Sequence, residues 1–253
     1  MIAIDHVTKR YGEKVAVADL SLSVPAGELF AFLGPNGAGK TTTIKLLCGL
    51  LLPTAGTVTV GGFDLKTHGD DARRLIAYVP DLPFLYEKLT GREFLQFTAD
   101  LYDLPAERAK ERIAQVIEWF HLDEFADDLT ERYSHGMKQR TVFAAALVHE
   151  PKLLIADEPT VGLDPKSVRE LKVLLRRLTG EGMTIFLSTH TLDIAQELAD
   201  RIGIIDHGKL LACGTMADLR TQAARDGNLE DLFMTITQEQ ETTQSPPTAV
   251  GGR

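Results

Sequence analysis

Gly34-Pro35-Asn36-Gly37-Ala38-Gly39-Lys40-Thr41-Thr42 is the stretch on which the reading of this chain turns. Its first eight residues fit G-x-x-x-x-G-K-[ST] at every fixed position. The glycines let the backbone curl until its N–H groups point inward at phosphate oxygens, and the helix that follows adds its positive end. Lys40 then reaches the β- and γ-phosphates, while the Thr41 hydroxyl is a ligand for Mg²⁺. Context strengthens the motif. The apolar run ELFAFL, Glu28 to Leu33, fits a buried strand before it, and the helix-like TTTIKLLCGLL follows. ATP and Mg²⁺ are the expected ligands.

Working outward, IAIDHVTKRYG and VAVADLSLSV alternate in polarity and are rich in β-branched residues, as half-wet strands should be. TVTVGGFDL returns to that alternation after the break at Pro53 to Gly56. From Thr90 to about Glu150 the chain turns helical. Thr90 and Glu93 have capping-box spacing ahead of REFLQFTADLY, AERAKERIAQVIEWF begins just after Pro105, and KQRTVFAAALVH is a third helix. Strands and helices then alternate through KLLIAD, DPKSVRELKVLLRRL, TIFLST, LDIAQELA and RIGIID. Asp164 and Pro165 read as an N-cap with proline at the first helical position. Such alternation implies a mostly parallel sheet covered by helices. The expected fold is therefore α/β: a P-loop NTPase core, an N-terminal antiparallel β subdomain and an inserted α-helical subdomain.

KLLIADEP, Lys152 to Pro159, is an apolar strand that ends in two adjacent carboxylates. A buried strand carries Asp157 to the sheet edge, where it can hold Mg²⁺ through water. Glu158 then stands where it can polarise water attacking the γ-phosphate. Phosphoryl transfer rests on positioning and charge stabilisation, so one oriented base beside a metal suffices.

Bulk properties exclude several classes. The 253 residues carry a formal net charge of -9, with no dense run of Lys and Arg, so no nucleic-acid partner is expected. Cys48 and Cys213 are the only two cysteines, far apart and without neighbouring metal-ligand spacing. They read as reduced, small apolar side chains. MIAIDHVTKRYG lacks the basic start and apolar run of a signal peptide, and no apolar stretch is long enough to cross a bilayer. A cytosolic chain is expected, one that a partner would carry to any membrane it serves.

Shortly before the two carboxylates lies YSHGMKQR, Tyr133 to Arg140. With this segment the chain resembles the ABC ATPase family across roughly residues 1 to 220, and in particular its bacterial export-type, ABC-2-like subunits. Ser134 and Gly136 match the serine and second glycine of the family signature LSGGQ; His135 and Met137 depart from the common form. The resemblance implies that this segment opens a helix and contacts the γ-phosphate held by an opposite subunit. It also implies that VGLDP, Val161 to Pro165, links two ATP sites through Asp164. His190 in LSTH matches the switch histidine at the γ-phosphate, and Tyr11 in KRYG the aromatic that stacks on adenine. After IAYVP the family usually has glutamine, and here stands Asp81, one methylene shorter; Asp81 is expected to serve the metal.

The resemblance further implies partners and boundaries. An ATPase domain would span 1–220, with the helical subdomain at about 82–150. An extension at 221–239 would hold a short helix, LEDLFMTIT, and 240–253 a disordered tail. The implied partners are an integral membrane permease subunit and a second ATPase in a homodimer or heterodimer, so the chain would sit peripherally on the cytoplasmic face of the cell membrane. LPFLYEKLTGREF would border a groove for a short helix of the permease, with Phe84, Leu85 and Tyr86 either in that groove or in the core. The rival is a soluble ABC ATPase such as an iron–sulfur assembly factor, uncoupled from transport. A small-molecule kinase using the same cradle is disfavoured by the signature and His190.

Overall fold

The computed structural model describes residues 1–222. Its first unit is an antiparallel sheet of β1 (Ile2–Tyr11), β2 (Lys14–Val24), β4 (Ala55–Val60) and β5 (Phe63–Asp64), in the order β2-β1-β4-β5. Its second is a six-stranded sheet in the order β10-β9-β3-β8-β7-β6. The strands are β3 (Leu29–Leu33), β6 (Ile76–Val79), β7 (Leu153–Asp157), β8 (Thr184–Thr189), β9 (Arg201–Asp206) and β10 (Lys209–Gly214). Only the β9–β10 pair is antiparallel. The expected P-loop-type α/β architecture is present.

Burial on both faces explains the apolar composition of the central strands. Along β3, Phe30 and Phe32 point toward the antiparallel sheet, where Phe186 lies against both rings at 5.6 and 5.4 Å between centroids. Leu29, one residue before Phe30, joins a second core on the opposite face. That second core continues without a break into the helices inserted between β6 and β7. These are α3 (Gly91–Leu101), α4 (Ala106–Trp119) and α5 (His135–Leu147), which contribute Leu95, Ile113 and Phe143 beside Val79, Leu154 and Leu187 of the sheet. The remaining helices are α1 (Lys40–Leu47), α2 (Gly69–Arg74), α6 (Pro165–Gly180), α7 (Leu192–Leu198) and α8 (Met216–Gln222). α8 runs across residue 220, and the segments expected at 223–253, including LEDLFMTIT, lie outside the described residues.

Local chemistry sets the helix starts. Thr90 Oγ1 accepts from Glu93 N at 3.1 Å while Glu93 Oε2 accepts from Thr90 N at 2.8 Å, the reciprocal cap expected from the spacing. Asp164 caps α6 with Pro165 at its first position. α5 begins earlier than the apolar run KQRTVFAAALVH indicates, because Ser134 caps it and His135 is already helical. Cys48 is buried and its thiol is pushed up to about 12 by that burial; Cys213 is half-buried, and its Sγ accepts from Arg201 Nη2 at 3.3 Å.

Register places the chemistry. Leu33 of β3 pairs with Thr189 of β8, and Asp157 of β7 pairs with Ser188. Three parallel strands therefore end side by side, and open α/β sheets bind ligands beyond those carboxyl ends.

Candidate nucleotide-binding site

The loop leaving β3 can curl only because glycine stands at the two positions where a side chain would strike backbone. A Cβ at Gly34 would collide with Ile205 O, and one at Gly39 would come within 2.7 Å of Ala16 O. Gly39 also takes φ 111 at the head of α1, a conformation open to glycine. Lys40 follows and folds back over the loop. Its Nζ donates to Gly34 O at 2.7 Å and to Pro35 O at 3.2 Å, and it lies 3.5 Å from Glu158 Oε1.

Beside the cradle the end of β7 delivers Asp157, which is buried. Its two oxygens accept from Thr41 Oγ1 at 3.1 Å and from Ser188 Oγ. Burial pushes this carboxyl above the usual aspartate range; the two hydroxyl bonds oppose the shift, and Asp81 and Glu158 add to it. The next residue, Glu158, has φ 47, a left-handed conformation that costs a non-glycine residue about 1–3 kcal/mol. Its N–H donates to Ser188 O at 3.1 Å, which holds the turn in place. That turn aims the Glu158 side chain back at the cradle. Oε2 accepts from His190 N at 3.3 Å. Oε1 lies 2.9 Å from His190 Nδ1 and 3.5 Å from Lys40 Nζ, yet it is buried with no donor aligned to it.

These groups line an open cavity of about 640 Å³. Lys40, Thr41, Thr42, Asp157 and Glu158 form one end, and Tyr11 lies on the rim with 47% of its surface exposed. Asp81 is on the same wall; its Oδ1 accepts from Leu82 N at 2.8 Å. The donor set near Thr41 consists of a hydroxyl and carboxylates, the hard oxygen ligands that suit Mg²⁺. Among the described residues no cluster of three or more His, Cys, Asp or Glu could hold a metal alone.

Two contributors escaped sequence reasoning. Ser188, which anchors both carboxylate residues, sits on β8 two positions before His190, and its contact depends on the pairing of β7 with β8, which no local pattern marks. His207 lines the cavity from the β9–β10 turn, with Nδ1 held 2.7 Å from Asp206 Oδ2, and nothing in its sequence context marks it.

Three expected residues lie elsewhere. Ser134 is exposed and spends its hydroxyl on Met137 N at 3.3 Å, capping α5. Gly136, in the first turn, has open space where a Cβ would stand. Asp164 accepts from Lys166 N and Ser167 N, each at 3.0 Å, and from Ser167 Oγ at 2.6 Å. None of the three lines the cavity of its own chain.

Residues 17–161 match the family described as ABC transporter, more than half the chain. This chain belongs to the ABC transporter family. Membership makes it an ATP-binding, ATP-hydrolysing protein. It is 42% identical over 226 residues to the linearmycin resistance ATP-binding protein LnrL of Bacillus subtilis (strain 168), covering 89% of this chain and 73% of that one. A solved ATP-binding subunit of an ABC transporter superposes with a TM-score of 0.89 at 34% identity, covering 94% of this chain and 99% of the other. The dimeric post-hydrolysis structure of the ATP-binding cassette MJ0796, bound to ADP and Pi, gives 0.78 at 27% identity over 85% of this chain and 99% of that one.

A second surface of this ABC protein stands apart from the cavity. Leu82, Phe84 and Tyr86 are 74%, 69% and 48% exposed, whereas Leu85 is 6% exposed and belongs to the core. The apolar segment LPFLYEKLTGREF thus divides its side chains between surface and interior. Tyr86 meets Phe84 and Phe97 edge-on at 5.6 and 5.4 Å, beside a groove of about 360 Å³ floored by Tyr78, Tyr102 and His149. Among the described residues no helix is long and apolar enough to cross a membrane.

Proposed function

We propose that this chain is the motor subunit of a transporter, hydrolysing ATP in a dimer to drive a separate integral membrane permease. The observation that carries the reading is the Glu158 carboxylate. One buried oxygen has no aligned donor, stands between Lys40 Nζ and His190 Nδ1, and faces the phosphate cradle. An oxygen so placed is an acceptor for the proton of an attacking water. Glu158 orients that water, His190 contacts the γ-phosphate, and Lys40 with the loop N–H groups holds the transferred charge. Tyr11 stacks on the base. Mg²⁺, when bound, would neutralise phosphate charge; Thr41 and Asp157 would hold it, and Asp81 would serve it through water.

Ser134, Gly136 and Asp164 serve a second nucleotide, held by the opposite subunit. The exposure of Ser134 and Asp164, and the absence of all three residues from the cavity of their own chain, support this division. A serine hydroxyl, a glycine that permits close approach and a helix N-terminus together make an anion site. The solved dimer of a cassette with the same fold supports pairing. Both halves of a site are present in one chain, so a homodimer has two competent sites. The groove beside Phe84 and Tyr86 receives a short cytoplasmic helix of the permease, since exposed aromatics suit interface anchors. The chain thus works on the cytoplasmic face of the membrane. Export is favoured by the signature variant and by a relative named for linearmycin resistance.

Replacing Glu158 with glutamine tests the proposal. The carboxamide keeps the shape but is a far weaker base, so hydrolysis should fall about 10²- to 10⁴-fold while ATP still binds. Light scattering should then find a stable ATP-bound dimer. A Glu158→Gln protein that stays monomeric at saturating Mg-ATP would remove the mechanism.

A further inference from the structure

The first turn of α5 and the loop after the carboxylates are joined by one side chain. His135 Nε2 lies 3.4 Å from Val161 O. A carbonyl only accepts, so in the neutral ring Nε2 carries the proton and donates it. The same ring covers Gly162: a Cβ built there would fall 2.6 Å from Nε2 and 2.7 Å from Cδ2. Gly162 also takes φ +77, which bars most side chains on backbone grounds. The Nε2–Cδ2 edge of the imidazole therefore closes on a glycine that leaves it room.

The position of this contact gives it consequences. Ser134 precedes His135 and caps α5; Asp164 is two residues beyond Gly162 and caps α6. Each of the two segments has its own apolar anchor, Met137 on one side and Leu163 on the other. Around the imidazole, by contrast, the surface is open: Ser134 and His135 are exposed and Val161 is 47% exposed. The ring is thus the direct bridge between two caps that otherwise rest separately on the core.

We propose that His135 is a positioning residue that fixes the spacing of Ser134 and Asp164 within one protomer. The two polar groups offered to the opposite protomer then move as one unit, and the 161–164 loop cannot drift from the signature turn when a nucleotide arrives. This rests on the reading that both groups face the partner's nucleotide. It adds a role for the side chain by which this signature departs from the glycine of the common form.

The test is a two-residue cycle on the full chain, reading steady-state ATPase with thermal melting as a folding control. Positioning errors act on turnover more than on binding to the cradle. His135→Gly should lower kcat by about threefold to tenfold with KM for ATP within about twofold, and His135→Gln, which keeps an N–H for Val161 O, should recover most of the loss. Gly162→Ala should lower kcat further, because the new Cβ meets the ring and alanine is strained at φ +77. Adding His135→Gly to Gly162→Ala should cost nothing more, since contacting residues are non-additive. Strictly additive losses, or wild-type kcat in His135→Gly, overturn the proposal. Should Gly162→Ala fail to fold, equal kcat for glycine, glutamine and histidine at 135 does so alone. Ser134→Ala run in parallel separates the two failures. If it loses turnover while the His135 variants do not, only the bridge falls; if it too is unaffected, the dimer reading has failed.

Discussion

Two polar regions of this molecule are built from the same materials and finished to different degrees. At the ends of β3, β7 and β8, Lys40, Thr41, Asp157, Glu158, Ser188 and His190 are bound to one another through hydrogen bonds and short charge contacts. At the heads of α5 and α6, Ser134 and Asp164 bond only within their own first turns, and Gly136 has empty space beside it. The first region is held by the core and is prepared before any ligand arrives. The second lies at two helix heads, its side-chain oxygens engaged within their own turns. On the proposed reading, the difference means that a lone chain holds the groups for binding nucleotide, while Ser134, Gly136 and Asp164 would complete the site of an opposite subunit.

The largest expected effect tests that contrast directly. Lys40→Ala removes a buried ammonium whose bonds to phosphate are charge-assisted, and should weaken ATP binding by about 10²-fold or more. Ser134→Ala should leave ATP affinity of the monomer within about twofold, yet lower hydrolysis about tenfold at concentrations where dimers form. Isothermal titration of monomer and an ATPase assay across protein concentration separate the two. If Ser134→Ala weakens ATP binding to the monomer as much as Lys40→Ala does, the two regions are one site and the contrast is wrong.

A smaller effect sharpens the boundary of the prepared region. Asp81 lines the cavity, and one of its oxygens is already engaged by Leu82 N. A contact to the ion through water should count for less than a direct one. Asp81→Ala should therefore raise the Mg²⁺ concentration for half-maximal hydrolysis by about threefold to tenfold, with kcat at saturating Mg²⁺ nearly unchanged. An unchanged Mg²⁺ curve, measured with the membrane partner present, dismisses the role.

How much of this was legible in the sequence follows the same divide. Motifs that act through backbone geometry can be read in one dimension: the glycine loop, the Thr90 and Glu93 cap, and Asp164 followed by Pro165 all stand where their spacing puts them. Contacts made across strands cannot. Ser188 reaches Asp157 only because β7 and β8 pair in one register, and no local pattern announces that pairing. The short elements were missed for a related reason. The six residues of α2 and the strand β10 are too brief or too mixed to show a period, and packing against their neighbours decides them. In LPFLYEKLTGREF, one face of an irregular segment goes into the core and the other to the surface, and apolar character alone does not say which residue takes which.

The last predicted effect comes from a group remote from both regions, and at pH 7.5 it leaves nucleotide binding unchanged. His149, just after α5, donates from Nε2 to Ile76 O at 3.1 Å and stacks on Tyr102 with 3.6 Å between centroids. Its Nδ1 is buried without a partner. Burial, with Arg112 adding to it, lowers the imidazole to about 4, while the carbonyl bond opposes the shift. The unfolded chain takes up that proton near the ordinary value of about 6.5, so protonation favours unfolding as pH falls from 6.5 toward 4 and has no effect well above that window. At pH 5 this group alone should cost about 2 kcal/mol, a drop in Tm of several degrees for a chain of this size. His149→Gln keeps a donor for Ile76 O but cannot titrate, so its Tm should fall less than wild type between pH 7.5 and pH 5. ATP affinity at pH 7.5 should be the same in both, because the strand ends, not the groove beneath the helices, shape the cradle. A variant that keeps the full acid drop refutes the buried neutral histidine. One that loses ATP affinity instead would show that the prepared region extends through the helical layer, and the line drawn between finished and unfinished halves would have to move.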